Sequence, residues 1–497
     1  MLAPAPSCAP APPPSKRAKT EACDAEPSPA EAALRALVAA DGPVDLTANG
    51  GTRDALQAPT MGVITDPKCV ARGTAAGSVV KGVVTLSAPG ADDSPASTYD
   101  LVALVDVSGS MNDGDKLFSV KTAAKWVVKN ARAGDRVCLI SFDDNAHRLT
   151  GFVRCDEEGK KALLRVCDAL LADGCTNIGA ALDTALAAIK GLAERNPVTQ
   201  IIVISDGYES CAQPLVAETS ATLTSLAELA TVSCVGVGKD HNASLMHRIA
   251  VRASGTFLFA ETAVDVAPQI GALVGTVANA VAASLKVVVR VPGAPDVTHV
   301  VGAMVANETL CFPFEVRLTD DSPVAVAVDL TYTNVTNGVA VEDLGRSFAV
   351  DISDEGEGAT LADAKLVDAH SNRTTVTAAI EQAMALVGST QVPRDFEGAR
   401  QLLVDAKDAV AASISAKEPI SVGLVSDVEA ILARIHAPQD FLSTGGVAFG
   451  LQFATAHSQQ RFTGISSLEP MSSGVAYAPA SIIRSVASAS QYADNAV

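Results

Sequence analysis

Short apolar runs alternate with helical stripes down the middle of this chain. Leu101–Val105 is uninterrupted apolar sequence, the signature of a strand buried on both faces. Residues 116–130 follow, with Leu117, Val120, Ala124, Val127 and Val128 on one helical face. Val137–Phe142 predicts the next strand, and 178–194 a helix carrying Ile178, Leu182, Ala185, Leu186 and Ile189 at helical spacing. Ile201–Ile204 predicts another buried strand. Thr231–Val237 and Gly255–Phe259 predict two more, each preceded by helix-like sequence. Alternating units of this length predict an α/β fold, a doubly wound and mostly parallel sheet with helices on both faces.

The flanks follow other periods. Gly62–Ile64 and Val79–Leu86 predict two strands, and Pro89–Ser97 a turn-rich linker. Leu285–Val291 and Val324–Leu330 predict strands with no helix between them, an added β-sandwich-like module. Between 359 and 437 the pattern turns helical, with amphipathic stretches at Ala378–Val387, Phe396–Ser413 and Val425–His436. The expected organisation is therefore a disordered Pro/Ala-rich leader over 1–58, strands over 59–98 that belong with the β module, and a doubly wound domain over 99–282. The β module proper follows over 283–355, a helical region over 356–440, and a Ser/Ala/Gly-rich tail over 441–497 that is loosely ordered with local exceptions.

At 497 residues with 48% hydrophobic and 19% charged positions, the chain is long and apolar enough for several domains. Its net charge of −19 disfavours contact with a nucleic-acid backbone and suits cations or basic surfaces. The 10 cysteines form no C-x-x-C pair, so zinc-finger and disulfide frameworks are not expected. Cys138 lies inside an apolar strand, as a small core residue in a reducing compartment would. The proline-rich start lacks the apolar block of a secretory signal, and no run of about 18 apolar residues predicts a membrane span. An intracellular protein is expected, cytoplasmic in preference to nuclear. Ser15–Lys19 then reads as a solvated charge cluster in preference to an import signal, and the N-x-S/T matches at Asn242, Asn307, Asn334 and Asn372 as chance.

The candidate chemistry sits at strand ends. The first strand of the doubly wound domain runs into Asp106-Val107-Ser108-Gly109-Ser110-Met111, and a later one into Ser205-Asp206-Gly207. Gly174-Cys175-Thr176-Asn177 lies between them. In such a sheet ligands bind at the carboxyl ends of the strands, near the switch in strand order. Ser108, Ser110 and Thr176 offer hydroxyls, and Asp106 and Asp206 offer charge directly or through water. Mg²⁺ asks for about six oxygens and keeps several waters, so this donor set suits it, with Mn²⁺ or Ca²⁺ as alternatives.

This constellation resembles the metal-ion-dependent adhesion site of von Willebrand factor type A domains, across about residues 99–262. Further segments resemble plant-type members that often also carry a RING finger: Gly174–Ile178, Glu194–Pro197, Ser244–Ala250, Ser254–Phe257, Ala456–Arg461 and Tyr477–Pro479. The resemblance implies a Rossmann-like von Willebrand A fold. It implies direct metal ligation by Ser108, Ser110 and Thr176, with Asp106 and Asp206 acting through water, and an Asp or Glu of a protein partner completing the coordination. It permits an affinity switch through the last helix of the domain. This sequence has no cysteine/histidine array for a RING, so ligase activity is not carried over. The expected function is a divalent-cation-dependent protein-binding module and not an enzyme. The alternatives are a RING-less adaptor in ubiquitin-type regulation, or a scaffold whose metal is only structural.

Other polar residues carry blander expectations. Asp143 and Asp144 read as loop carboxylates. His247 and His457 lack a nucleophile and an orienting partner, and read as structural. Cys175 could stand exposed beside the metal. Ser108 lacks the glycine of a nucleophile elbow, and no Walker loop is present.

Overall fold

A computed structural model describes residues 59–90, 98–207, 215–388, 393–436, 438–461, 477 and 479–496. The expected leader, with its basic cluster at 15–19, lies outside the described residues.

The chain opens with β1 (Thr60–Asp66), β2 (Cys69–Ala71) and β3 (Val79–Ser87). The doubly wound domain follows. Its first half is β4 (Tyr99–Asp106), a 3₁₀ turn at Gly109–Asn112, α1 (Lys116–Asn130), β5 (Arg136–Phe142), the short strands β6 (Ala146–Arg148) and β7 (Val153–Arg154), and α2 (Glu157–Ala169). Its second half is α3 (Ile178–Lys190), β8 (Val198–Ser205), α4 (Leu215–Ala227), β9 (Thr231–Val237), α5 (Ala243–Arg252), β10 (Ser254–Ala260) and α6 (Val266–Ala278).

The central sheet runs β10-β9-β8-β4-β5-β6, with β7 also on β5. The strands from β10 to β5 are parallel, while β6 and β7 pair antiparallel to β5. Every residue of β4 is buried. Its Val102 and Leu104 join one core with Ile178, Leu182 and Ile189 of α3 and Met246 and Ile249 of α5. Its Leu101, Ala103 and Val105 join another with Val120 and Val127 of α1 and Ile270 and Val274 of α6. A strand covered on both faces needs apolar residues at both parities, which is why its sequence does not alternate.

Beyond α6 come β11 (Ala280–Arg290), β12 (Val297–Val305), β13 (Thr309–Arg317), β14 (Val324–Asn334) and β15 (Ala340–Ser353). Strand β13 pairs antiparallel with β3, which pairs with β1. The facing sheet runs β12-β11-β14-β15-β2. Val84 and Leu86 from the one sheet and Val287, Val289, Val326 and Val328 from the other share a single core. The sandwich is thus built from strands on both sides of the doubly wound domain, which sits within it as an insertion.

The helices that follow are α7 (Leu361–Gly388), α8 (Phe396–Ala411), α9 (Pro419–Ile435), α10 (Pro438–Ser443), α11 (Gly446–Gln459) and α12 (Ala480–Asp494). Two of them correct the expectation of a loosely ordered tail over 441–497. All of α11 up to His457 is buried except Val447, and Ile482, Ile483, Val486 and Ala489 of α12 are buried. The small residues that suggest a tail in the sequence instead permit close helix approach. A Cβ on Gly450 would fall 2.3 Å from Met384 Sδ. Across the α6–α12 contact, a Cβ on Gly271 would meet Ala489 Cβ at 2.9 Å and one on Gly275 would meet Ser485 Cβ at 2.8 Å.

Buried polar groups stitch the units together. The Arg373 guanidinium on α7 donates to the carbonyls of Cys311 on β13 and His457 on α11, each at 2.6 Å. Gln452 Oε1 accepts from Phe259 N of β10 at 2.7 Å, and Arg461 pairs with Glu308. His457, expected to be structural, is fully buried with Nε2 3.1 Å from Asp427 Oδ2.

Two stability predictions follow from this packing. Replacing Gly275 with valine forces α12 off α6, and a urea titration should show a loss of about 1–3 kcal/mol, the usual cost of overpacking. Burial lowers His247 to about 4 and His370 to about 3, from an ordinary value of 6.5, and nearby arginines add to both shifts. Both are neutral in the fold and bind a proton only on unfolding. Their contribution is therefore complete above pH 6.5 and is lost as pH falls from there, toward 4 for His247 and toward 3 for His370. Each should cost about 1 kcal/mol per pH unit, measured as the urea midpoint from pH 7 to 5.

Candidate metal centre

The order β8-β4-β5 places the first strand of the domain between its two later neighbours, so the carboxyl end of β4 faces the crevice of the sheet. Asp106 closes β4, and Ser205 closes β8 just before Asp206. The loop after β4 starts with Ser108 as N-cap of the 3₁₀ turn. The loop carrying Thr176 is pinned to it: Gly109 N donates to Gly174 O at 3.0 Å, and Asp173 N to Val107 O at 2.7 Å. Gly174 adopts φ +79°, a left-handed conformation in which glycine is unstrained. Asn177 caps α3 by accepting from Ala180 N at 3.0 Å, which fixes Thr176 just ahead of the helix.

All of the expected site residues gather here. Ser108 Oγ lies 3.1 Å from Ser110 Oγ, and Ser110 Oγ donates to Asp206 Oδ1 at 2.8 Å. A Cβ on Gly207 would fall 2.9 Å from Thr176 Oγ1 and 3.8 Å from Ser110 Oγ. The glycine therefore leaves open a cradle that both hydroxyls line. Asp106, Ser108, Thr176 and Asp206 are buried, while Ser110 is exposed and marks the mouth. Asp106 Oδ1 accepts from Ser108 N at 2.8 Å and Oδ2 from Ser205 Oγ at 2.5 Å. Burial raises the Asp106 carboxyl above its ordinary value, and the serine hydrogen bonds only partly offset this.

These residues fit a small hard cation. Neighbouring ligands on an octahedral ion with bonds of 2.0–2.1 Å stand about 2.9 Å apart, close to the Ser108–Ser110 separation. The set is rich in hydroxyls and holds two carboxylates, as an oxygen-loving divalent ion requires. Among the described residues no cluster of three or more His, Cys, Asp or Glu suits a metal, so a softer all-protein cage is not offered elsewhere.

Asp143 and Asp144 lie in the loop after β5, as expected of loop carboxylates, and that loop borders the site. A Cβ on Gly174 would meet Asp144 Oδ2 at 2.9 Å, and Asp144 also accepts from Cys175 N at 3.3 Å. Cys175 is exposed and is a free thiol. His247 is buried against Phe257, 4.0 Å from Glu381, away from these residues.

Two contributors escape the sequence reading. Ser205 reads only as the end of an apolar strand, yet it supplies a hydroxyl to Asp106. Lys116 Nζ reaches Asp206 Oδ2 at 2.5 Å. A signal for the lysine exists in the sequence, because a cation in the first turn of a helix opposes the helix dipole and needs an anionic partner.

A doubly wound domain with this hydroxyl-and-carboxylate cluster at its carboxyl edge defines a class. Residues 101–209 match the family model of the von Willebrand factor type A domain, and the chain carries such a domain. Among curated proteins, the E3 ubiquitin-protein ligase WAV3 of Arabidopsis thaliana is 36% identical over 117 residues, 23% of this chain and 16% of that protein. The uncharacterized protein YfbK of Escherichia coli is 27% identical over 174 residues, 34% of this chain and 29% of that protein. The match therefore spans less than a third of the length of either relative. Among solved structures, a von Willebrand factor type A protein from Catenulispora acidiphila aligns with TM-score 0.55 and 17% identity, over 78% of this chain and 91% of that one. The ArnB paralog VWA2 from Sulfolobus acidocaldarius aligns with TM-score 0.54 and 14% identity, over 80% and 99%. The likeness in fold thus extends beyond the doubly wound domain to its flanking units.

One prediction isolates the support under the site. Ser205→Ala leaves the buried Asp106 carboxylate short of a donor and should lower stability by about 1–3 kcal/mol in chemical denaturation. A Gly151→Ala control on the remote surface should stay within about 0.5 kcal/mol.

Proposed function

We propose that this chain is a divalent-cation-dependent protein-binding module and not an enzyme. Ser108, Ser110 and Thr176 would hold the cation directly, with Asp106 and Asp206 acting through water. Bound there, Mg²⁺ would supply an open coordination position for an Asp or Glu of a partner protein; Mn²⁺ and Ca²⁺ suit the same donors. The observation that carries this reading is the run of contacts from Ser108 Oγ to Ser110 Oγ and from Ser110 Oγ to Asp206 Oδ1, with Thr176 facing the same gap across Gly207.

The rim refines the partner. Asp113, Asp115, Asp144 and Asp173 are exposed around the mouth, and Asp143 is half-buried beside them. A strongly acidic segment would be repelled there, so the coordinating Asp or Glu should lie among neutral or basic neighbours. Leu171 is 82% exposed on the loop that presents Thr176, and offers an apolar contact next to the carboxylate.

A second reading has its own support. The 36% identity over 117 residues to an E3 ubiquitin-protein ligase favours an adaptor role in ubiquitin-type regulation. Co-purification of a separate RING protein or an E2 enzyme would mark that role.

Affinity capture from a lysate of the source organism tests the main proposal. It compares the wild type in Mg²⁺, the wild type in EDTA and Thr176→Ala in Mg²⁺. A partner retained at least tenfold better by the first sample is expected. A partner set that is the same in all three would overturn metal-dependent binding.

A further inference from the structure

We propose that Lys116 is a built-in cation that competes with the divalent ion for Asp206 and so sets the affinity of the site. A role of this kind exists only if Ser108, Ser110 and Thr176 hold a cation, as proposed above.

The lysine is built into the site from several directions. It is the first residue of α1, where the exposed amide ends of the helix disfavour a positive charge. Its ammonium nevertheless turns inward, onto Asp206 Oδ2 at 2.5 Å, with only 20% of its side chain exposed. The Asp206 side chain is fully buried. Gly238, at φ +74°, makes room for it: a Cβ there would fall 3.3 Å from Lys116 Cε and 3.7 Å from Nζ.

The charges explain why such a residue belongs here. Asp106 ends β4, Asp206 follows the end of the neighbouring β8, and both are buried. Asp106 is held by neutral donors, Ser108 N and Ser205 Oγ. Among the described residues, Asp206 accepts from Ser110 Oγ and from the Lys116 ammonium. In the absence of a divalent ion the lysine thus offsets one of two buried negative charges. A divalent ion held by Ser110 would share Asp206 with that ammonium, and two cations on one buried carboxylate repel each other at low effective dielectric. Binding must then work against Lys116 or displace it, so the lysine stabilises the metal-free protein and weakens metal affinity together.

The opposite possibility is that Lys116 only orients Asp206. Ser110 already fixes the other oxygen of that carboxylate, so a neutral side chain of similar length leaves it anchored. The two roles predict opposite signs.

The test is a Mn²⁺ titration of the full chain followed by electron paramagnetic resonance, with calorimetric Mg²⁺ titration beside it. The proteins are the wild type, Lys116→Met, Lys116→Arg, and Lys116→Met combined with Thr176→Ala; circular dichroism confirms that each is folded. Lys116→Met should bind Mn²⁺ at least tenfold tighter than the wild type, Lys116→Arg should stay within about threefold of the wild type, and Thr176→Ala should abolish the gain. Equal or weaker binding by Lys116→Met, with the wild type binding normally, would overturn the competition and leave the cation site intact. No Mn²⁺ binding by the wild type and by Lys116→Met alike would overturn both the competition and the cation site. A Lys116→Arg protein as tight as Lys116→Met would also overturn it, since charge would then not be the cause.

Discussion

Two carboxylates buried side by side at the ends of parallel strands are the constraint around which this protein is arranged. Asp106 ends β4 and Asp206 follows the last residue of the neighbouring β8, both out of water. Left alone, such a pair would be costly, because burial penalises each charge and proximity penalises the two together. The surrounding structure answers that cost locally. Ser108 N and Ser205 Oγ serve one carboxylate, Ser110 Oγ and Lys116 the other, and the loop of Thr176 is pinned across them through Gly174. The result is a partly neutralised cluster in which the two carboxylates are held by hydroxyl, amide and ammonium donors.

The rest of the chain fixes the sheet that carries this cluster. The sandwich takes strands from both sides of the inserted domain, so the domain is tethered at each end to the same β structure. Strand β11 begins two residues after α6 ends. On its open side α6 is covered by α12, at a separation only glycines at 271 and 275 allow. The helical region closes the opposite face of the sheet, where Val376, Ile380 and Met384 of α7 and Phe449 and Phe453 of α11 join the core of α3 and α5. The buried Arg373 guanidinium donates to the carbonyls of Cys311 and His457 and to His370 Nδ1, so it ties sandwich to helices through neutral partners, and burial lowers its pKa. Sandwich, insertion and helices therefore form one packed body and not three beads on a string.

Much of this was legible in the sequence, and the exceptions have common causes. The apolar runs at 101–105 and 201–204 identified buried parallel strands because burial on both faces leaves no alternation to misread. The D-x-S-x-S segment identified the crevice because it falls where such a strand must end. That the strands over 59–98 belong with the β module is legible; which strand pairs with which is not. No local pattern reports that β3 pairs with β13, some 220 residues on. The helices at 446–459 and 480–494 were concealed because their glycines, alanines and serines look like loop composition until a partner surface is known. Lys116 and Ser205 were concealed for a related reason. Each lies in an element read for its apolar face, and its polar role exists only relative to a residue on another strand.

The same geometry bears on the charge of the whole molecule. With a net charge of −19 and four or more carboxylates around the mouth of the site, the face that would meet a partner repels anions at a distance. Under the proposed function, a partner carboxylate reaches that face only because a divalent charge is concentrated within it. Recognition is then conditional twice over: on the ion, which supplies the attraction, and on flanking residues in the partner that do not oppose the rim. Lys116 sharpens the first condition. By holding part of the positive charge the buried pair demands, it lets the fold exist without the ion. Loss of the cation would then withdraw binding without dismantling the domain, which separates a metal used for recognition from one used only to hold a structure together.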